Sequence, residues 1–277
     1  MNCVICGGVM DPVLRPAVAH PTCAPFAEPG DEDPFAAMLK QNLTDIILWA
    51  ERQNPRATQA NIGPSEIGDP CDRRIGYRLA QIPACNKDFD PWAAVMGTAV
   101  HTWLEGAVTA WSEAHNSTDW ATETALAISE FIDGHSDLYW RAFQTVIDWK
   151  TAGPDVMKKI RKEGPPPGYI IQAQIYGYGY EQKGWPVQRV ALAFLSRAGW
   201  LRDMYIWSAP YDASVAERAI NRLYQIAHEV VSREILKQSH RWEQIPATPS
   251  NSCGFCPWFN PGKEADTGAD DQGCPGR

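Results

Sequence analysis

The sequence has little that would direct the chain into a membrane or out of the cell. Its 277 residues contain no uninterrupted apolar run of the length that a membrane span requires. The first residues carry neither the basic start nor the apolar stretch of a secretory signal. We therefore expect a soluble protein in a reducing cytoplasm, with no membrane partner.

An excess of positive charge is also missing. The net charge is −8 and the pI is near 5.3, which argues against a protein that coats nucleic acid by bulk electrostatic attraction. An enzyme with a local basic groove is not excluded. An acidic site for divalent metal would itself contribute negative charge until the metal binds.

The composition is otherwise that of a globular protein, with 44% hydrophobic and 21% charged residues. Hydrophobic spacing predicts helices at about 34–54, 70–79, 91–113, 154–163, 169–182 and 213–237. Strands are predicted around 126–132, 137–143, 145–151, 187–195 and 204–207, with a turn at Gly134 between the first two. This order predicts an α/β or α+β fold in which helices cover a core sheet.

The first 30 residues are rich in proline and carry a set of metal-ligand side chains. Cys3 and Cys6 form one close pair, and His20 and Cys23 form another. This spacing is typical of a tetrahedral zinc site, and zinc would explain how so proline-rich a segment folds. A chance coincidence of spacing is the alternative.

His101 and Glu105 lie four residues apart on a predicted helix, so they share one face. Such a pair can bind a common ligand, although a helix with a polar stripe would show the same spacing. Further along, Asp137 begins a predicted strand, and Asp148 and Lys150 stand two apart on the next. Period-two geometry places Asp148 and Lys150 on one face of the sheet, either at a reactive site or in a surface salt bridge.

These residues have the parts needed for phosphodiester hydrolysis. Two carboxylates and an imidazole, from Asp137, Asp148 and His101, can hold Mg²⁺ or Mn²⁺. Such a metal makes a bound water more acidic, and Lys150 could orient that water or neutralise charge in the transition state.

The ordered motifs G-x3-H-x3-E, G-x2-D, D-x-K and Q-A-Q-I-Y resemble the PD-(D/E)XK nuclease superfamily, specifically its RecB-like branch. That branch includes phage exonucleases and a CRISPR-associated exonuclease with an iron-sulfur cluster. The resemblance covers about residues 65–277 and implies a restriction-endonuclease-like core of order α-β-β-β-α-β. We accordingly divide the chain into a zinc knuckle (1–30), a helical linker (31–64) and a nuclease domain (65–277).

The resemblance also implies roles for individual residues. His101, Asp137 and Asp148 would bind metal, Lys150 would be catalytic with Glu105 as a helper, and Gln172 and Tyr176 would line the DNA side. Asp148 stands where many members have glutamate. Core packing is the alternative for Tyr176. Lys158 and Lys159 belong to a basic run that suits phosphate contact or a solvated face.

The iron-sulfur members have one cysteine before the histidine motif and three at the C-terminus. Cys71, Cys253, Cys256 and Cys274 match that layout, although the last gap is longer than usual. The resemblance thus implies a [4Fe-4S] cluster, and Zn²⁺ is the alternative because it also takes four cysteines. Cys85 is left over as a buried thiol.

The function expected from these motifs is a Mg²⁺- or Mn²⁺-dependent DNA nuclease, an exonuclease of phage or bacterial DNA recombination, repair or processing. Its partners would be DNA ends and a recombination or replication protein. A non-catalytic DNA-binding or complex-assembly module that keeps the nuclease fold is the alternative.

Overall fold

The computed structural model describes residues 34–53, 61–86, 90–232, 242, 244–262 and 273–276. The chain divides into two compact units, Met1–Ala57 and Thr58–Arg277. The boundaries expected from the sequence, after residues 30 and 64, stay predictions.

In the first unit, the described part is one helix, α1, which spans Pro34–Arg52. The apolar spacing of the sequence predicts this helix closely. Within it, the side chains of Asn42 and Thr44 donate to the carbonyls of Met38 and Lys40 one turn earlier.

The second unit contains six helices and five strands among its described residues. The helices are α2 (Pro64–Ile67), α3 (Asp72–Leu79), α4 (Trp92–Ala114), α5 (Pro154–Glu163), α6 (Pro167–Gln182) and α7 (Ala213–Ser232). The strands are β1 (Trp120–Ser129), β2 (Ile132–Trp140), β3 (Thr145–Ala152), β4 (Arg189–Ser196) and β5 (Tyr205–Pro210). None of the described helices is both long and apolar enough to span a membrane.

The five strands form one mixed sheet in the order β1-β2-β3-β4-β5. β3 and β4 pair in parallel, and the helices α5 and α6 form the crossover connection that a parallel pair requires. The other neighbouring strands pair antiparallel. The sheet flanked by helices confirms the predicted mixed α/β class. Strand β4 is buried along an apolar stretch, as strands covered on both faces are, whereas β3 has both buried and half-buried residues and carries Asp148 and Lys150.

Helix α6 lies at the centre of the core. Ala173, Ile175 and Tyr180 of α6 are fully buried. Gly177 and Gly179 allow its close contacts: a Cβ at Gly177 would lie 2.6 Å from the ring of Tyr211, and one at Gly179 would lie 2.9 Å from Ile128. The helix is therefore held firmly against β1 and the segment before α7.

The first hairpin differs from its sequence prediction. The turn lies at residues 130 and 131, and Gly134 is inside β2, paired with Leu126. This glycine serves a close approach rather than a turn, since a Cβ on it would lie 2.8 Å from Cδ of Pro64. Asp137 is consequently in the middle of β2 and not at a strand start.

Other boundaries shift by smaller amounts. The segment Arg141–Phe143, expected in the second strand, is a 3-10 turn, and β1 begins at Trp120, earlier than expected. Helix α4 spans almost its predicted range. Helix α7 is described to Ser232, and the rest of its predicted range lies outside the described residues.

Candidate active site

The two candidate aspartates lie opposite each other on neighbouring strands. β2 and β3 pair Leu138 with Ile147, so the next position along places Asp137 beside Asp148. The amide of Trp149 donates to Oδ2 of Asp137 at 2.7 Å, which ties the two strands together at this point. The D-x-K spacing puts Lys150 on the same face as Asp148.

Asp148, Lys150 and Gln172 form a closed network. Lys150 Nζ lies 2.5 Å from Oδ2 of Asp148 and donates to Oε1 of Gln172 at 2.8 Å. Gln172 Nε2 donates to Oδ1 of Asp148 at 3.0 Å. Asp148 is 1% exposed and Gln172 is 4% exposed, so this is a buried network and not the surface salt bridge that D-x-K alone would also allow.

Burial raises the pKa of Asp148 from its ordinary value to about 6. The charge of Lys150 opposes that rise, and the nearby charge of Asp137 adds to it. A carboxyl group in this position gains stability from any further cation placed beside it.

His101 reaches the same site from α4. Its Nδ1 lies 3.2 Å from Oδ1 of Asp137, and the two form a hydrogen bond. This bond raises the pKa of His101, against the opposite effect of burial. Glu105, one turn further along α4, is half-buried and has no hydrogen bond or ion pair with the described residues, so the structure does not bring it into the network.

Of the residues expected to contact DNA, Tyr176 is buried and the two lysines of α5 are exposed. Tyr176 is 6% exposed, and burial raises its pKa while its hydroxyl hydrogen-bonds with Gln172. Tyr176 therefore contacts Gln172 inside the core and is not exposed for contact with DNA. Lys158 and Lys159 are well exposed on α5, where they pair with Asp155 and Glu163.

As they stand, the described residues include no group of three His, Cys, Asp or Glu side chains placed to hold one metal ion. Both oxygens of Asp137 already have partners, in His101 and the amide of Trp149. The donor types at the site fit Mg²⁺ or Mn²⁺.

Two residues near the site were not identified from the sequence. Glu123 on β1 is flanked by the pairs Thr122–Leu138 and Thr124–Ser136, which places it across from Asp137. Its φ is +41°, a left-handed conformation that is strained for glutamate and often marks functional positions. Tyr169 lies with its ring 4.8 Å from Nζ of Lys150. No spacing pattern distinguishes either residue, because each reaches the site through tertiary packing.

Four cysteines line a separate cavity, but no three of them are placed to hold one metal ion. Cys71, Cys253, Cys256 and Cys274 line one cavity of about 80 Å³. The buried side chain of Arg73 donates to Sγ of Cys274 at 3.5 Å, and burial raises the pKa of Cys256. Cys85 does not line this cavity. The other proposed metal ligands, Cys3, Cys6, His20 and Cys23, lie outside the described residues.

No protein-family model matches the chain, and no curated protein matches it in sequence. Similar solved structures include an alkaline exonuclease from Laribacter hongkongensis, with 14% identity and a TM-score of 0.46 over 66% of this chain and 94% of that one. The structure of SSO0001 has 17% identity and a TM-score of 0.44 over 72% of this chain and 84% of that chain. A phage related exonuclease from Haemophilus somnus 129PT has 15% identity and a TM-score of 0.33, over 47% of this chain and 69% of its own.

Proposed function

We propose that this chain is a metal-dependent deoxyribonuclease of the PD-(D/E)XK type and that it acts as an exonuclease. The observation that carries the proposal is the buried network of Asp148, Lys150 and Gln172 beside the pair of Asp137 and His101. A charged pair this deep in a core stabilises a fold little, or at a net cost, so its presence favours a chemical role.

The chain's own residues can act on a phosphodiester in defined ways. Gln172 holds the ammonium of Lys150 through Oε1, so the positive charge is positioned before DNA arrives. That ammonium would neutralise the charge that develops on the phosphoryl oxygens. The amide of Trp149 and the hydrogen bond from His101 keep the carboxylate of Asp137 in one orientation.

His101, Asp137 and Asp148 would hold Mg²⁺ or Mn²⁺. When bound, the metal supplies a more acidic water and a polarised phosphoryl oxygen. The raised pKa of Asp148 supports this assignment, because a nearby dication would offset the cost of its buried charge.

Cleavage of end-labelled DNA by the purified chain tests the proposal. We expect hydrolysis with Mg²⁺ or Mn²⁺, loss of hydrolysis on chelation, and loss of at least about a hundredfold in Asp148→Ala and Lys150→Ala. Asp119→Ala, at an exposed position, is the matched control. Closed circular DNA should survive if the enzyme needs an end.

Binding of DNA without any metal-dependent cleavage would instead favour a non-catalytic DNA-binding or assembly module. Equal activity of the wild type and Asp148→Ala would rule out the assigned site.

We also propose that Cys71, Cys253, Cys256 and Cys274 hold a [4Fe-4S] cluster. The sequence resemblance implies this ligand set, and the four cysteines line one cavity, although no three of them are placed to hold a metal ion as they stand. Metal analysis after anaerobic purification distinguishes iron from zinc.

Two further proposals concern a metal site in the N-terminal segment and the cellular role of the protein. Zinc at Cys3, Cys6, His20 and Cys23 would add one zinc ion per chain. A cytoplasmic role in phage or bacterial DNA recombination, repair or processing, beside a recombination or replication protein, follows from the sequence resemblance alone.

A further inference from the structure

The connection between β4 and β5, residues 197–204, presents two large apolar side chains to solvent. Trp200 is 67% exposed and Leu201 is 74% exposed. We refer to residues 197–204 as the β4–β5 tip. Trp200 and Leu201 are adjacent in sequence and so form a small exposed apolar patch.

The β4–β5 tip is an ordered turn. Leu201–Asp203 form a short 3-10 helix, in which the amide of Asp203 donates to the carbonyl of Trp200 at 2.9 Å. The amide of Trp200 donates back to Oδ2 of Asp203 at 3.4 Å. Because the turn is already organised, ordering it on binding would cost little conformational entropy.

The residues around the β4–β5 tip carry a net positive charge, whereas the whole chain is negatively charged. The guanidinium of Arg202 lies 4.8 Å from the ring of Trp200, and Arg197 stands at the start of the tip. Together with α5, the tip carries six basic and three acidic residues, whereas the chain has a net charge of −8. This local balance favours an anionic partner.

The β4–β5 tip begins next to the end of β3, the strand that carries Asp148 and Lys150. The amide of Arg197 donates to the carbonyl of Ala152 at 2.9 Å, and Ala152 is two residues beyond Lys150 on β3. Arg161 of α5 donates to the carbonyl of Asp203, which joins the basic helix to the tip. The half-exposed ring of Tyr169 lies next to Lys150 at the same end of the strands.

We propose that the β4–β5 tip binds unpaired bases of the DNA strand that enters the proposed active site, with Trp200 stacking on a base. Arg197, Arg202 and the basic residues of α5 would contact the phosphates. Unpaired bases fit best, because bases inside a duplex are stacked on each other and do not offer a free face. This inference rests on the proposed function and makes single-stranded DNA or a frayed end the preferred substrate.

Binding of labelled oligonucleotides by the full chain tests this inference. The probes are a single strand of about 16 nucleotides and the matching blunt duplex, with Ca²⁺ replacing Mg²⁺ to slow hydrolysis. We expect Trp200→Ala to weaken single-strand binding about tenfold and duplex binding much less, and Trp200→Phe to retain most of the affinity. Trp103→Ala is the control, because Trp103 is 71% exposed on α4 and has no assigned role.

Steady-state cleavage adds a second readout. Trp200→Ala should raise KM for single-stranded DNA about tenfold and leave kcat close to that of the wild type. If the wild type cleaves DNA but Trp200→Ala matches it in affinity and KM, or loses single strand and duplex equally, this inference is wrong while the proposed function stands. A wild type that neither binds nor cleaves DNA would overturn the proposed function itself, and this inference with it.

Discussion

Asp148 is the most constrained residue of the candidate site. Its carboxyl group is almost fully buried, accepts from Gln172 and lies against Lys150. Gln172 is the one neutral group that contacts both charged partners within this network. Changes at these positions should therefore affect both stability and catalysis.

Gln172→Leu tests the bridging role. The substitution has a similar volume, but it leaves Asp148 and Lys150 each without one hydrogen bond in a buried setting. We expect the free energy of unfolding to fall by about 2 kcal/mol, as measured with urea. We also expect DNA cleavage to fall at least about tenfold, because Lys150 is no longer held in place.

Gln174→Leu is a useful comparison on the same helix. Gln174 is also buried, but it contacts the carbonyl of Pro210 and the amide of Asp212. The Gln174→Leu variant should be less stable than the wild type, but its rate of DNA cleavage should not fall specifically. Equal catalytic losses in the two variants would contradict the bridging role of Gln172.

The raised pKa of Asp148 predicts a pH dependence of stability. Between pH 3.8 and about 6 the unfolded chain ionises this carboxyl while the folded chain keeps its proton. In that window, rising pH favours the unfolded state, so the stability contribution is lost as pH increases. Asp148→Asn removes this dependence.

Urea unfolding of the metal-free protein at several pH values measures the effect. The stability of Asp148→Asn relative to the wild type should rise between pH 4 and pH 6, by about 2 kcal/mol or less. A constant difference across that range would show that Asp148 does not titrate there.

At the scale of elements, α6 and its glycines position Gln172 against β3. Gly179 contacts β1 so closely that a Cβ would lie 2.9 Å from Ile128 and 3.2 Å from Leu126. Gly134 plays a similar part where β2 meets α2. Sequence patterns predict the helices and strands themselves. They place the β1–β2 turn wrongly at Gly134, because a glycine inside a strand gives the same local signal as a turn.

Gly179→Ala should therefore destabilise the fold. We expect a loss of about 1–3 kcal/mol in the free energy of unfolding, because the added methyl group forces α6 away from β1. Gly106→Ala on α4 is the matched control, since a Cβ there meets no atom within 4 Å. That variant should be more stable by up to about 1 kcal/mol through helix propensity. Thermal unfolding followed by circular dichroism distinguishes the two outcomes.

At the scale of the whole second unit, the C-terminal segment is tied to α3 and the residues after it. Tyr77 donates from its hydroxyl to the carbonyl of Gly273 at 3.0 Å, and Trp258 donates from its indole to the carbonyl of Ile82 at 2.8 Å. The four-cysteine cavity lies along this tie. A bound cluster would therefore join distant parts of the chain.

Cys274→Ser should abolish iron binding and lower the unfolding temperature of anaerobically purified protein. The wild type should show about four irons per chain and broad absorbance near 400 nm, which such clusters have. Cys85→Ser is the control, because Cys85 does not line the cavity. Retention of iron in Cys274→Ser, or of zinc in place of iron in the wild type, would contradict the assignment.

The sequence by itself determined the amphipathic helices, the α/β class and the placement of Asp148 and Lys150 on one strand face. These features follow from backbone periods of 3.6 and 2 residues, which act over short distances along the chain. Only the tertiary structure decided that His101 contacts Asp137, that Gln172 joins Asp148 to Lys150, and that Tyr176 is buried. Tertiary packing also placed Glu123 across from Asp137 and the start of the β4–β5 tip against Ala152 of β3. Such contacts depend on how strands register and how closely helices approach, which no local spacing encodes.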